Sequence, residues 1–136
     1  MTSIANKYEL EIASTAENIV EVEQFIENLK DKLHISDNLY GNLLISLTEA
    51  VNNAIIHGNG LDASKKVKVV CRKDNNTVSF TVSDEGNGFD YNNLPDPTDP
   101  KNIEKLTGRG VFLMKQLSDQ LIFSKGGSQV ELQFKD

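Results

Sequence analysis

The chain has 136 residues, which suits a single domain over residues 1–136, and its 38% hydrophobic and 25% charged residues are ordinary for a globular protein. A net charge of −6 argues against nucleic-acid binding, which needs Lys and Arg to neutralise phosphates. No apolar run approaches the roughly 18 residues that span a membrane, no signal peptide is evident and Cys71 is the only cysteine, so we expect a cytoplasmic protein.

The N-terminal part of the chain predicts a strand followed by two helices. Alternating apolar residues predict the strand at 7–12, and residues 14–17 form a capping-box pattern before a helix whose apolar positions repeat every three or four residues. Ser36 is a candidate N-cap for the second helix, which we expect to run to about His57 and to end at Gly58.

The remaining chain predicts four strands, one helix and one long loop. The strands are predicted at 66–72, 77–83, 120–124 and 129–134, and the helix at 111–117. The loop at 86–107 contains all three prolines, and a loop of this length in a small domain is usually functional or disordered. Because hairpin turns join most strands, we expect a mixed, mostly antiparallel sheet with the helices on one face, an α+β two-layer sandwich.

Polar residues interrupt the second predicted helix in the sequence EAVNNAIIHGNG, residues 49–60. Glu49 and Asn53 are four residues apart and therefore share one helix face, whereas Asn52 is displaced by about a quarter turn. An amide oxygen is a hard ligand that suits Mg²⁺, which takes few protein ligands and keeps water or phosphate oxygens. The alternative is a polar helix face with local hydrogen bonds.

A second motif, SDEGNGFD at residues 83–90, follows an apolar strand. Asp84 at the strand end could accept a hydrogen bond from the 6-amino group of adenine and would repel the oxygen that guanine carries there. Gly86 and Gly88 would let the backbone approach a base and sugar. The alternative is a glycine-rich turn in which Asp84 bonds its own loop.

A third motif, TGRGVFLMKQLSD at residues 107–119, places Gly108 and Gly110 immediately before the predicted helix. Backbone N–H groups at a helix N-terminus favour phosphate, and Arg109 adds a cation. The alternative is a hinge followed by an ordinary amphipathic helix.

Together, and in this order, the three motifs resemble the asparagine box and two glycine boxes of the GHKL ATPase superfamily, and within it the anti-sigma-factor serine/threonine kinases. The resemblance implies the Bergerat ATP-binding fold with ATP and Mg²⁺ as ligands. It implies that Glu49 is the general base, that Asn53 coordinates Mg²⁺ and that Asp84 binds adenine. The glycines of the two glycine boxes would shape the pocket and contact phosphates: Gly86, Gly88, Gly108 and Gly110. It also makes residues 90–107 the ATP lid, and leaves open whether Arg109 touches the γ-phosphate.

The resemblance implies a homodimer that binds a sigma factor and phosphorylates a serine on an anti-anti-sigma protein of the STAS type. The alternative is an ATP-binding regulatory module without kinase activity, although retention of Glu49 weighs against it, because binding alone needs no base. A sensor histidine kinase would need a further helical hairpin carrying a phosphoacceptor histidine, and neither His34 nor His57 lies in one.

Overall fold

A computed structural model describes residues 7–87 and 106–136 of the chain. The elements follow in the order β1 (Lys7–Ala13), α1 (Ile19–Lys32), α2 (Asp37–Asn53), β2 (Lys66–Asp74), β3 (Thr77–Ser83), α3 (Leu106–Leu117), β4 (Gln120–Ser124) and β5 (Gln129–Lys135). A π-helical turn at Ala54–Gly58 extends α2, and short 3₁₀ turns lie at Ala16–Asn18 and Lys125–Gly127. No helix among these residues is long and apolar enough to cross a membrane.

The five described strands form one sheet in the order β1-β2-β3-β5-β4, and every pairing is antiparallel. The registers place apolar residues from all five strands in one row across the sheet: Tyr8, Cys71, Phe80, Leu132 and Leu121. Because side chains alternate along a strand, this row defines the face that packs against the helices. The predicted two-layer α+β sandwich is confirmed.

One continuous core joins the sheet to the helices. Its helical members lie on the apolar stripes of all three helices: Val22, Ile26 and Leu29 from α1, Leu43, Leu47 and Val51 from α2, and Val111 and Met114 from α3. Cys71 is fully buried in this core, and burial raises the pKa of its thiol to about 12. The cysteine is therefore an inert core residue.

The first helix does not begin with the predicted capping box. Neither Thr15 nor Asn18 makes a side-chain cap, and the chain enters α1 through a 3₁₀ turn. Ser14 is fully buried, and its hydroxyl donates to the Lys65 carbonyl at 2.8 Å. The hydroxyl that was predicted to cap α1 therefore binds a distant segment of the chain instead.

The second helix begins and ends as predicted. The Ser36 hydroxyl accepts from the Leu39 N–H at 3.3 Å, which is the expected N-cap bond. At the other end, the π turn closes with the Asn59 N–H donating to the Ala54 carbonyl at 2.8 Å. A π turn contains one more residue than an α turn and is frequent at functional sites.

The third helix begins at Leu106, earlier than the predicted start at 111. Gly108 and Gly110 therefore lie inside α3, so the prediction that they immediately precede a helix is wrong for this state of the chain. Glycine disfavours helix interiors by about 1 kcal/mol, but tertiary packing can outweigh this cost. Gly88 and the predicted lid at 90–107, apart from its last two residues, lie outside the described part.

Candidate nucleotide-binding site

The side chains of Glu49 and Asn53 converge on one small space beside α3. A β-carbon placed on Gly110 would lie 3.1 Å from Glu49 Oε2, 3.1 Å from Asn53 Nδ2 and 3.3 Å from Asn53 Oδ1. Asn53 Nδ2 is buried and has no hydrogen-bond partner among the described residues, an arrangement that costs free energy unless a ligand supplies the partner. The structure therefore brings the two predicted residues together, with a glycine facing them.

Asp84 lies directly after β3 and is tied to the neighbouring strand. Its N–H donates to the Ser128 carbonyl at 2.9 Å, and its Oδ1 accepts from the Gly86 N–H at 2.8 Å. Partial burial raises the pKa of the Asp84 carboxyl, opposed by the Gly86 hydrogen bond and the charge of Lys65. A carboxylate with a raised pKa in a concave site is typical of a functional residue.

Two glycines surround the Asp84 carboxylate. A β-carbon on Gly58 would lie 2.8 Å from Asp84 Oδ1 and would overlap Oδ2. A β-carbon on Gly86 would overlap the backbone carbonyl of Gly58, with its carbon 2.6 Å away. Glycine at position 86 is therefore required for the end of the π turn and the Asp84 loop to come together, whereas a side chain at position 58 would have to displace the Asp84 carboxylate. The sequence predicts only helix termination for Gly58, and the tertiary contact gives this residue a second role.

A cavity opens between the end of α2, the sheet and α3. It is lined by residues from the asparagine box, by strand residues and by Asp84: Ala50, Asn53, Ala54, His57, Gly58, Val82, Asp84, Met114, Phe123, Gly127, Ser128 and Val130. Apolar walls with one carboxylate at the edge suit a flat base with an amino group. Its volume of about 30 Å³ holds roughly one water molecule, so a purine can enter only when the walls separate.

An open cleft of about 410 Å³ adjoins this cavity on the side of α2 that carries Glu49. Its lining comprises Glu49, Asn52, Asn53, Ile56, His57, Gly110 and Leu113. Asn53 and His57 line both spaces, so the cavity and the cleft are adjacent at these two residues. This arrangement fits a base held inside near Asp84 and phosphates extending outward to Glu49 and Asn53. Asn52 lines only the open cleft.

The site fits a magnesium ion held mainly by nucleotide. No cluster of three or more His, Cys, Asp or Glu side chains that could hold a metal occurs in the described ranges, so a cage made wholly of protein is not present there. Mg²⁺ commonly takes one or two protein ligands and completes its shell with water and phosphate. The amide oxygen of Asn53, at the space beside Gly110, is the hard ligand that fits such an ion, whereas the unpartnered Nδ2 is a donor that suits a phosphate oxygen.

The second glycine box contributes its backbone to the same region. Gly110 is buried beside Glu49 and Asn53, while Gly108 lies two residues earlier in α3. The side chain of Arg109 lies outside the described part, so its predicted phosphate contact stays a prediction, as do the predicted contacts of Gly88 and Gly108.

Comparisons with known proteins show the family to which the chain belongs. The model of the histidine kinase-like ATPase domain family matches residues 12–134. An anti-sigma F factor from Clostridium perfringens (strain SM101 / Type A) is 32% identical over 125 residues, covering 85% of this chain and 84% of that protein. A serine-protein kinase RsbW from Bacillus cereus (strain AH820) is 24% identical over 121 residues, covering 85% of this chain and 75% of that protein.

A solved structure shows the same architecture. The structure of the RsbU and RsbW domains of Rv1364c from Mycobacterium tuberculosis matches 95% of this chain with a TM-score of 0.67, at 14% sequence identity. This chain spans 32% of that longer chain. At such low identity, the likeness shows the fold alone.

The sheet, the asparagine-bearing helix and the Asp84 cavity together define a nucleotide-binding domain of the Bergerat type. The chain belongs to the histidine kinase-like ATPase domain family, which matches it over most of its length. Its resemblance to the anti-sigma serine/threonine kinases, inferred from the three motifs, is confirmed by the two curated relatives.

Proposed function

We propose that this protein is an ATP-dependent serine/threonine kinase that binds a sigma factor and phosphorylates an anti-anti-sigma protein. The relatives named anti-sigma F factor and serine-protein kinase support both halves of this proposal. The observation that carries the kinase half is the convergence of Glu49 Oε2 and the Asn53 amide on one space at the mouth of the cleft. A module that only binds nucleotide has no need of a carboxylate there.

In the proposed reaction, the acceptor serine lies in the open cleft beside Glu49. Glu49 accepts the proton of the serine hydroxyl as its oxygen bonds to the γ-phosphorus, and ADP leaves as the bond to its β-phosphate oxygen breaks. Asn53 would hold Mg²⁺, which when bound neutralises charge on the phosphates. Asp84 holds the adenine end and therefore fixes the distance between the γ-phosphate and the cleft.

The substitution Glu49→Gln tests the kinase half of the proposal. The amide keeps the size of the side chain but cannot accept the proton, so phosphotransfer should fall by about 10²–10⁴-fold while ATP affinity changes little. The measurement is transfer of labelled γ-phosphate to a small acceptor protein recovered from source lysate in an ATP-dependent pull-down. Equal transfer by the wild type and the variant would contradict the role of Glu49. ATP binding without transfer to any recovered protein would favour a regulatory module without kinase activity.

The partner half of the proposal includes the predicted homodimer and keeps the cytoplasmic location predicted from the sequence. Mass spectrometry of the same pull-down should identify a sigma factor and a STAS-type acceptor among the bound proteins. Light scattering of the purified chain should give twice the monomer mass, and a monomer at micromolar concentration would contradict the dimer.

A further inference from the structure

A buried asparagine near the end of the first motif, for which the sequence predicts no role, holds the backbone next to Asp84. The Asn59 side chain is 3% exposed, and each of its amide atoms is bonded. Its Nδ2 donates to Ser14 Oγ at 2.8 Å and to the Lys66 carbonyl at 3.0 Å. Its Oδ1 accepts from the Glu85 N–H at 2.7 Å. One side chain thus links the end of β1, the start of β2 and the peptide that follows Asp84.

The bond to Glu85 completes a set of contacts around Asp84. On one side of this residue, its own N–H donates to the Ser128 carbonyl. On the other side, Asn59 accepts from the Glu85 N–H, and the Glu85 carboxylate accepts from the Lys66 N–H. The backbone of Asp84 is therefore held from both of its peptide groups, and the Asn59 bond is the only one of these in which the holding group is a buried side chain.

The π turn places Asn59 where these bonds can form. The Asn59 N–H closes this turn by donating to the Ala54 carbonyl, and the Leu61 N–H donates to the Ile55 carbonyl at 2.8 Å. The same turn brings Gly58 against the Asp84 carboxylate. Two consecutive residues thus act on Asp84, Gly58 by leaving room for the carboxylate and Asn59 by holding the adjoining peptide.

We infer that Asn59 is a positioning residue that sets adenine selectivity by holding the Asp84 loop. This inference rests on the proposed function, because Asp84 must first be the group that binds the base. A carboxylate separates an amino group from a carbonyl oxygen only when it is held at hydrogen-bond distance from that position of the ring. Without the Asn59 bond, the Glu85 N–H loses its acceptor and Asp84 can move away from the base.

The test compares the affinities of ATP and GTP, both with Mg²⁺, for the wild type and for Asn59→Ala. The wild type should prefer ATP, and the ratio of the two dissociation constants should fall about tenfold in the variant, the factor that one hydrogen bond typically contributes. A residue that only stabilised the fold would weaken both nucleotides alike and leave the ratio unchanged. The measurement is isothermal titration calorimetry, below the melting temperature of each variant.

Two further variants separate positioning from stability. Ser14→Ala removes one partner of Asn59 Nδ2 but leaves the bond to Glu85, so it should lower the melting temperature without changing the ATP/GTP ratio. In an Asp84→Ala background, Asn59→Ala should have no further effect on the ratio, because Asn59 acts through Asp84. A change in the ratio for Ser14→Ala, or a further change in the double variant, would overturn the inference.

The outcomes distinguish the inference from the function on which it rests. A wild type without preference for ATP would overturn the proposed adenine site, and with it the role of Asn59. If the wild type prefers ATP and Asn59→Ala leaves the ratio of the ATP and GTP dissociation constants unchanged, only the role of Asn59 is overturned. Hydrogen exchange provides a measurement that does not depend on the variant folding: the Glu85 amide of the wild type should exchange as slowly as the amides of β3, and exchange at the rate of an exposed loop amide would overturn the inference.

Discussion

Gly58 has two roles, because it ends the π turn and leaves room for the Asp84 carboxylate. Its neighbours leave no room for a β-carbon, because the Asp84 carboxylate occupies that space. The obstructing atoms belong to a side chain that can rotate away, so a larger residue should displace the carboxylate before it unfolds the chain. Gly41, in the second turn of α2, has no atom within 4 Å of the corresponding position.

The pair Gly58→Ala and Gly41→Ala tests this difference. Gly58→Ala should weaken ATP binding by at least about tenfold, because it moves the group that accepts the adenine hydrogen bond. Gly41→Ala should leave ATP affinity unchanged and raise the free energy of unfolding by up to about 1 kcal/mol, since alanine is the better helix former. Titration calorimetry and urea denaturation measure the two quantities. Equal ATP affinities in the two variants would contradict the contact.

The raised pKa of Asp84 predicts opposite effects of pH on binding and on stability. Burial is the main cause of the raised pKa, so the folded chain holds a proton on Asp84 more tightly than the unfolded chain does. The resulting stabilisation is fully present below the unfolded value of 3.8 and is lost as the pH rises through the folded pKa. Because the proposed adenine site uses this carboxylate as its acceptor, ATP affinity should fall as the pH drops through that same folded pKa.

Calorimetric titrations of ATP between pH 7 and about pH 4 measure this effect, with Asp84→Asn as the control because its amide does not titrate. The difference in ATP affinity between the wild type and Asp84→Asn should shrink on acidification. A difference that stays constant over this range would show that Asp84 ionisation is not involved.

The polar residues of helix α2 point in different directions around the helix axis, and we expect different roles for them. Glu49 and Asn53 are one turn apart and meet at Gly110 of α3, whereas Asn52 is not among the residues nearest to Gly110. The third helix covers this face closely enough that the cavity below holds only about one water molecule. Entry of a purine therefore requires this cavity to widen.

The substitutions Asn53→Ala and Asn52→Ala test the separation along α2. Asn53→Ala should abolish nucleotide-dependent activity, because it removes the amide oxygen that would hold Mg²⁺. Asn52→Ala should have a much smaller effect, since Asn52 is displaced by about a quarter turn from the face that Glu49 and Asn53 share. The readouts are phosphotransfer and ATP affinity at a fixed Mg²⁺ concentration. Comparable losses in the two variants would contradict the assignment of the metal to Asn53.

Across the whole molecule, hydrogen bonds of Asn59 connect the ends of β1 and α2 and the start of β2 to the loop after β3 that carries Asp84. Because the nucleotide would bind the folded chain and not the unfolded one, it should stabilise the whole domain by mass action. One hydrophobic core includes residues of the sheet and of all three helices, so these elements should unfold together.

ATP with Mg²⁺ should therefore raise the melting temperature. At a concentration a hundred times the dissociation constant, the free energy of unfolding should increase by about 2.7 kcal/mol. The Asp84→Ala variant should lose this increase, because it lacks the acceptor for adenine. Differential scanning calorimetry with and without ATP measures the effect, and an unchanged ATP-induced increase in the variant would refute the adenine assignment.

Local patterns in the chain were sufficient to predict much of this protein. The strands β3 and β4 coincide with the predicted ranges, because apolar alternation records which face of a strand is buried. The Ser36 cap and the helix end near Gly58 were also predicted correctly, since capping depends on a few adjacent residues. The spacing of Glu49 and Asn53 predicted their shared face in the same way.

Contacts between distant segments account for what the patterns missed. Ser14 looked like a cap, but its hydroxyl bonds to Lys65, and Asn59 had no pattern that connects it to Glu85. Helix α3 begins five residues before its predicted start at 111. Its two glycines have a low helix propensity, which the packing of Gly110 against Glu49 and Asn53 outweighs. Local sequence records propensity and periodicity, whereas the partner of a buried polar group depends on which segments the fold brings together.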